Sequence, residues 1–267
     1  MAATTLVARR IDTGTLLTIG AFDSSLLREL SDAQQLVCVH CGGTLMLKAG
    51  AVRLHHFAHV NQAVCHYLDH EPESDSHRLG KYILYQCFRP RAIDAALERH
   101  IPITDQRADC FIQMRDQCYA LEFQQANNSA VRWNERRQLY HRAGISDLWF
   151  LGIVRYKPSV TNPPRPISVF DPLPIPRHDF EASNGVFLIR DMEKAIITAE
   201  QRLVYLDPET ELLTILLTRM LSGNTVRAYR YVVPLSLAEL RSGLLWTPLD
   251  PLLIEYGQYL EQHRSTH

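Results

Sequence analysis

The stretch that most constrains the fold runs from Ala108-Asp109-Cys110 through Leu121-Glu122-Phe123-Gln124. It reads as two strands, residues 107–114 and 118–125, joined across Arg115-Asp116-Gln117. Side chains alternate faces along a strand, so Glu122 and Gln124 share one face while Leu121 and Phe123 take the other. A two-residue turn at Arg115-Asp116 sets Asp109 opposite Glu122. Cβ atoms in such a pair lie roughly 4.5–5.5 Å apart. Two carboxylates that close repel unless a proton or a cation sits between them. A hard divalent ion such as Mg²⁺ satisfies them, using one or two carboxylates and filling its other positions with water.

Upstream of the hairpin lie two further groups of chemically active residues. The first is Leu36-Val37-Cys38-Val39-His40-Cys41-Gly42-Gly43, a cysteine knuckle whose paired glycines let backbone amides face the sulfurs. Structural zinc takes four nitrogen or sulfur ligands. Cys38 and Cys41 supply two, and His59 and Cys65 complete the set, with His56 as the alternative to either. The spacing departs from the His-x3–5-His pair of DNA-reading fingers, which favours a structural clip over a base-reading one. A reduced knuckle without metal has the same sequence. His40, His55, His66 and His70 read as bystanders.

The second group is Glu73, His77 and Lys81, each four residues apart on a segment of helical periodicity that begins after Pro72. Taken alone, that stripe also describes an ion-pair ladder on a solvated face. Segment 91–99 reads as a further helix. Downstream, Asn127-Asn128-Ser129 is an N-cap cluster for a helix ending at Gly144. Arg132, Arg136 and Tyr140 fall on one stripe of it, with Arg137 beside them. Residues 129–157 hold six Arg or Lys against two acids, Glu135 and Asp147. Such an excess suits phosphate tracking, and suits an exposed arginine-rich surface equally. Trp133 and Trp149 read as core.

An acid on one strand followed by Glu-x-polar on the next resembles the PD-(D/E)xK nuclease superfamily. The ordered set narrows this: Cys38-x2-Cys41, His56-Phe57-Ala58-His59, Cys65, Glu73-Ser74-x2-His77-x3-Lys81, the hairpin, Arg136-x3-Tyr140 and Leu148-Trp149-Phe150-Leu151. It resembles the competence protein CoiA-like nuclease family over about residues 1–153. The resemblance implies an α/β (α+β) chain. It would have a zinc-ribbon-like module at 1–70 and a restriction-endonuclease-like core at 71–157. A proline-rich linker at 158–185 and a C-terminal α+β extension at 186–267 would follow. It further implies Mg²⁺ or Mn²⁺ on Asp109, Glu122 and the Phe123 carbonyl. Glu73 becomes a further metal or water ligand, and His77 a phosphate contact or proton shuttle. The superfamily usually has lysine two residues after the Glu; here it is Gln124, as in the CoiA-like pattern, and Lys81 is the candidate for the missing cation. Arg132, Arg136, Arg137 and Tyr140 become nucleic-acid contacts.

The remaining properties bound the function. Net charge is −1, so binding to single- or double-stranded DNA needs a local patch. Apolar runs are too short to span a bilayer and the N-terminus lacks a signal-peptide pattern, which together read as cytoplasmic. Six cysteines in such a chain argue for metal binding or burial, with Cys87, Cys110 and Cys118 in the core. Seven of the fourteen prolines lie between 158 and 176 and exclude regular helix or central strand there, so the stretch reads as a linker or a surface strap. Beyond them 186–190, 194–199, 202–206, 211–217 and 226–233 read as strands, and 235–241 and 250–263 as helices. That tail shows no chemistry of its own and suits substrate guidance, a protein partner or self-association. Two functions fit: a metal-dependent deoxyribonuclease in DNA uptake, recombination or defence, and a catalytically weak nucleic-acid-binding adaptor that recruits a partner through the tail. A zinc hydrolase fits less well, because a closed Cys/His set leaves no open position for water.

Overall fold

A computed structural model describes residues 4–61, 65, 74–166, 181–248 and 250. Backbone contacts gather into two units, residues 1–114 with 120–123, and residues 115–119 with 124–267.

The first unit begins with β1 (Thr4–Thr5), β2 (Val7–Arg10) and β3 (Leu16–Thr18) around a turn at Gly14. Helix α1 (Ser24–Asp32) is capped by Asp23, whose carboxylate accepts the Ser25 N–H at 2.8 Å. Then come β4 (Leu36–Val37), β5 (Leu45–Lys48) and β6 (His56–His59). Two small sheets result, ordered β3-β2-β4 and β1-β6-β5. Ser74 caps α2 (Asp75–Phe88) through its hydroxyl, which accepts the His77 N–H at 3.1 Å.

The segment expected as a helix at 91–99 is instead a single 3-10 turn, Arg89–Arg91, followed by β7 (Asp94–Ile101). An antiparallel ladder to β8 (Gln106–Gln113), from Asp94↔Gln113 to Ile101↔Gln106, uses its backbone groups. Ladder pairing overrides the helix preference of Ala-Ala-Leu-Glu. The next strand is β9 (Cys118–Gln124), and the connection runs over four residues, 114–117, in place of a two-residue turn.

The second unit contains α3 (Ala130–Arg142), capped by Ser129 and followed by Gly144 at φ +70°. It continues with β10 (Ile145–Gly152), β11 (Arg165–Pro166), β12 (Glu181–Leu188), α4 (Asp191–Glu200), β13 (Arg202–Asp207), β14 (Leu212–Ser222) and β15 (Thr225–Pro234). The strand order is β11-β12-β15-β14-β13-β10, with β13 parallel to β10. The tail thus extends the sheet of β10 edge to edge.

Two expectations here are overturned. Residues 194–199, expected as a strand, belong to α4: Met192, Ile196 and Ile197 line one helical face against Trp133, Trp149 and Leu203, and helical spacing wins over the β preference of Ile-Ile-Thr. Residues 235–241, expected as a helix, form a 3-10 turn (Leu235–Leu237) and then the hairpin β16 (Glu239–Arg241) and β17 (Leu244–Trp246). Ser242 and Gly243 both take positive φ at its turn, where the Gly243 N–H donates to the Tyr119 hydroxyl at 3.0 Å. The helix expected at 250–263 lies outside the described residues, apart from Asp250.

One packing contact fixes α2 on the first unit. A Cβ at Gly80 would fall 2.3 Å from the buried Phe123 ring, closer than atoms approach without displacement. Gly80→Ala should therefore destabilise the protein by about 1–3 kcal/mol, despite alanine's better helix propensity. A denaturant melt measures this as a lowered midpoint at unchanged slope; an unchanged or raised midpoint would contradict the packing.

Candidate functional site

The hairpin carboxylates come together in the first unit. Asp109 Oδ2 accepts the Phe123 N–H at 3.0 Å, so its carboxylate lies directly against the backbone that carries Glu122. Glu122 is 3% exposed. Burial, then the negative charges of Asp109 and Glu122, hold the Cys110 thiol protonated far above its usual range, which places both acids near one buried sulfur. From α2, His77 Nε2 stands 3.7 Å from Asp109 Oδ2, and its ring meets Phe123 edge-on at 5.7 Å. Glu73 lies outside the described residues.

Lys81 sits one turn beyond His77 and is fully buried. Its Nζ lies 2.7 Å from Oε1 of Glu98, a residue that sequence reasoning passed over. Glu98 had been assigned to a helix, where a lone Glu is ordinarily a surface residue. In β7 it is buried instead and adopts φ +51°, a conformation uncommon for a non-glycine residue. Burial opposes its charge, but the Lys81 ammonium and Arg107 guanidinium outweigh that and hold its carboxyl down at about 2.

The cysteine knuckle forms the second group. One atom each from Cys38, Cys41, His59 and Cys65 lies within 4.8 Å of the other three, and this is the one such set of three or more among the described residues. The local fold explains it. Gly42 turns at φ +70°, the Cys38 N–H donates to the Gly43 carbonyl at 2.8 Å, and the Gly43 N–H points at Cys41 Sγ at 3.4 Å. Burial works against a Cys41 thiolate, yet the Gly43 amide and contacts with His59, Cys65 and Cys38 bring that thiol down to about 7. Three sulfurs and an imidazole are the donor set that zinc takes tetrahedrally. His56 is turned elsewhere, its Nδ1 3.0 Å from the Leu54 carbonyl oxygen. All six cysteines are free of disulfides.

The arginine stripe of α3 belongs to the second unit, and only part of it faces solvent. Arg132 is exposed, but Tyr140, expected on an exposed face, has no accessible surface. Arg136 is half-buried, donates to the Tyr140 hydroxyl at 3.3 Å and lies over the Trp149 ring. Arg137 reaches Glu200 at 3.4 Å and Asp147 at 3.9 Å, so its charge is shared between two acids. Asp147 also takes His141 at 2.8 Å and Trp149 Nε1 at 2.6 Å. Gln124 donates from Nε2 to the Ala126 carbonyl at 3.0 Å.

An acidic hairpin thus lies beside a histidine, and a separate Cys3His cluster could hold a metal ion. The chain resembles known proteins over most of this region. Residues 73–205 match the family described as competence protein CoiA, nuclease-like domain, and residues 21–68 match competence protein CoiA, N-terminal domain. The chain belongs to the competence protein CoiA family. Competence protein CoiA of Bacillus subtilis (strain 168) is 32% identical over 124 residues, which are 46% of this chain and 33% of that relative. The match thus spans about a third of the relative's length. No solved structure matches. Among the described residues no helix is long and apolar enough to cross a membrane.

Two outcomes follow from this geometry. Purified protein should carry stoichiometric zinc, and Cys41→Ser should lose most of it, as atomic emission would record; a variant that kept its full metal content would remove Cys41 from the ligand set. The second concerns Glu200. Burial raises its carboxyl to about 7, with Arg137 opposing, Asp147 adding and Arg202 opposing. Between its ordinary value of 4.5 and about 7, the folded state binds more protons than the unfolded, so stability falls as pH rises through that window. Glu200→Gln escapes this cost, which is at most ~3 kcal/mol before solvent screening. Its Tm should exceed that of the wild type at pH 8 and lose that advantage near pH 4.5.

Proposed function

We propose that the chain is a metal-dependent deoxyribonuclease that hydrolyses DNA phosphodiester bonds in DNA uptake, recombination or defence. The observation that carries this reading is the Asp109 carboxylate lodged against the Phe123 amide beside buried Glu122. Two carboxylates facing each other across a hairpin repel, and a divalent cation between them relieves that repulsion.

The donors are hard oxygens from two adjacent strands, the chemistry that Mg²⁺ or Mn²⁺ prefers. Asp109, Glu122 and the Phe123 carbonyl would hold the ion, which when bound stabilises charge on the phosphate and makes a nucleophile of water. The chain's own groups do the rest. The Phe123 amide orients the Asp109 carboxylate. His77, at 3.7 Å from Asp109, can hold or pass a proton at Nε2, or meet a phosphate oxygen. Gln124 carries no charge, but its amide retains a second N–H and an acceptor oxygen. Of the expected nucleic-acid contacts on α3, Arg132 is the one that stays exposed and open to a phosphate. Zinc in the Cys3His cluster would brace the N-terminal segment.

The adaptor reading draws on a separate observation: the charge of Lys81 is paired with Glu98, and the amide nitrogen of Gln124 with Ala126. An assay on single- and double-stranded DNA with Mg²⁺, Mn²⁺ or EDTA separates the two. Metal-dependent cutting should fall on the order of 100-fold or more in Asp109→Ala and Glu122→Ala. Zinc-loaded wild type that binds DNA and leaves it intact would favour the adaptor.

A further inference from the structure

We propose that Glu98 is a positioning residue of the nuclease-like site: it fixes the Lys81 ammonium and is itself fixed by Thr5, so that the N-terminal segment helps to build the site. This rests on the nuclease reading.

Both carboxylate oxygens of Glu98 are committed. Oε1 takes Lys81 Nζ at 2.7 Å and Oε2 takes the Thr5 hydroxyl. The side chains of the pair are 0% and 2% exposed. Burying two charges costs as much as their attraction returns, and an apolar pair of similar volume is commonly as stable. Stability is therefore a poor reason to keep the pair, whereas placing a charge is a good one. The backbone points the same way. Glu98 holds φ +51° within a ladder that is regular on either side, Leu97↔Cys110 and Arg99↔Ala108. Conformations of that kind are unfavourable and persist where the surroundings over-determine them.

The placement is relevant to the acidic hairpin. The flanking pairs Leu97↔Cys110 and Arg99↔Ala108 leave Glu98 and Asp109 as the two residues between them. Lys81 lies four residues after His77, hence on the same stripe of α2, and His77 faces Asp109. Glu98 thus holds a cation on the helix face that covers the acid.

Thr5 extends this hold. It lies in β1, which pairs with β6 through Thr4↔Ala58 and Thr5↔Phe57, and β6 ends at His59 of the Cys3His cluster. Its neighbour Thr4 accepts from Arg78 of α2 at 2.8 Å. Two adjacent hydroxyls therefore tie the metal-clip sheet to the helix and strand that carry Lys81 and Glu98.

The test is a mutant cycle on cleavage of an end-labelled DNA oligonucleotide with Mn²⁺, with Asp109→Ala as the reference for loss of the site. Glu98→Gln and Lys81→Met should each lower kcat by about 10–100-fold with KM for DNA unchanged. Lys81→Met/Glu98→Gln should be no worse than Lys81→Met alone. Thr5→Val should lower kcat by less and leave zinc content intact. Additive losses in the double variant would make Glu98 merely structural and overturn the proposal, as would full kcat in Glu98→Gln when Asp109→Ala is dead. Should Glu98→Gln fail to fold, the double variant, which buries no lone charge, and Thr5→Val decide the matter. A separate readout needs no activity. Slowed exchange should make the Lys81 ammonium visible by ¹⁵N resonance in the wild type, and the signal should vanish in Glu98→Gln. Wild type that cuts no DNA fails the nuclease reading; a wild type without that resonance fails the positioning role.

Discussion

Charge removed from water has to be compensated, and the first unit concentrates such charge in a small volume. Asp109, Glu122, Glu98 and Lys81 are all largely or fully shielded from solvent. Each isolated ion of this kind would cost several kcal/mol to bury. The fold answers with specific partners: a backbone amide for Asp109, an ammonium and a hydroxyl for Glu98, and a histidine edge toward the open side. The position of α2 follows from these demands as much as from apolar packing. Gly80 lets it descend onto Phe123, and that close approach brings His77 within reach of Asp109.

The parts of this arrangement that were legible in the sequence are those governed by local chemistry. Ser129 caps its helix because its side chain meets an amide three residues ahead. The Cys38-x2-Cys41-Gly-Gly knuckle declares itself through its glycines, and the acidic hairpin through its alternation. The parts that were not legible depend on distant partners. Residues 94–101 have helix-forming composition, and only the ladder to 106–113 makes them a strand. Glu98 was lost with them, since its role depends on that strand and on Thr5, 93 residues away. Residues 194–199 failed in the opposite sense: a β-branched run became helix because Met192, Ile196 and Ile197 had one core to fill. The hairpin at 239–246 carried a signal that was available, the Ser242-Gly243 dipeptide between apolar pairs.

Helical spacing by itself says that residues share a face; it does not say which face meets water. Arg132, Arg136 and Tyr140 do fall on one stripe, but the stripe descends from solvent into the core, from exposed Arg132 to fully buried Tyr140. Arginine can make that descent because its planar group stacks on aromatic rings while retaining its charge. Arg136 lies over Tyr140 and Trp149, and Arg137 over Trp133. Counting six basic residues against two acids overstated the free positive charge, since Glu200 and Glu193, from outside that stretch, draw on Arg137 and Arg155.

The glutamine at 124 follows the same logic of shared acceptors. Its amide donates to the Ala126 carbonyl, and that oxygen also receives Arg155 Nη1. Arg155 is 2% exposed and is held in turn by Glu193 at 2.8 Å. A lysine at 124 that took the same path would direct an ammonium toward a carbonyl already engaged by a buried guanidinium. Two cations on one acceptor repel each other. A neutral amide avoids that conflict, and the carbonyl fixes which of its ends is the donor. Of the residues that impose this, Arg155 belongs to the basic stretch at 129–157 and Glu193 to the tail whose sequence offered no chemistry, yet together they bear on the side chain at position 124.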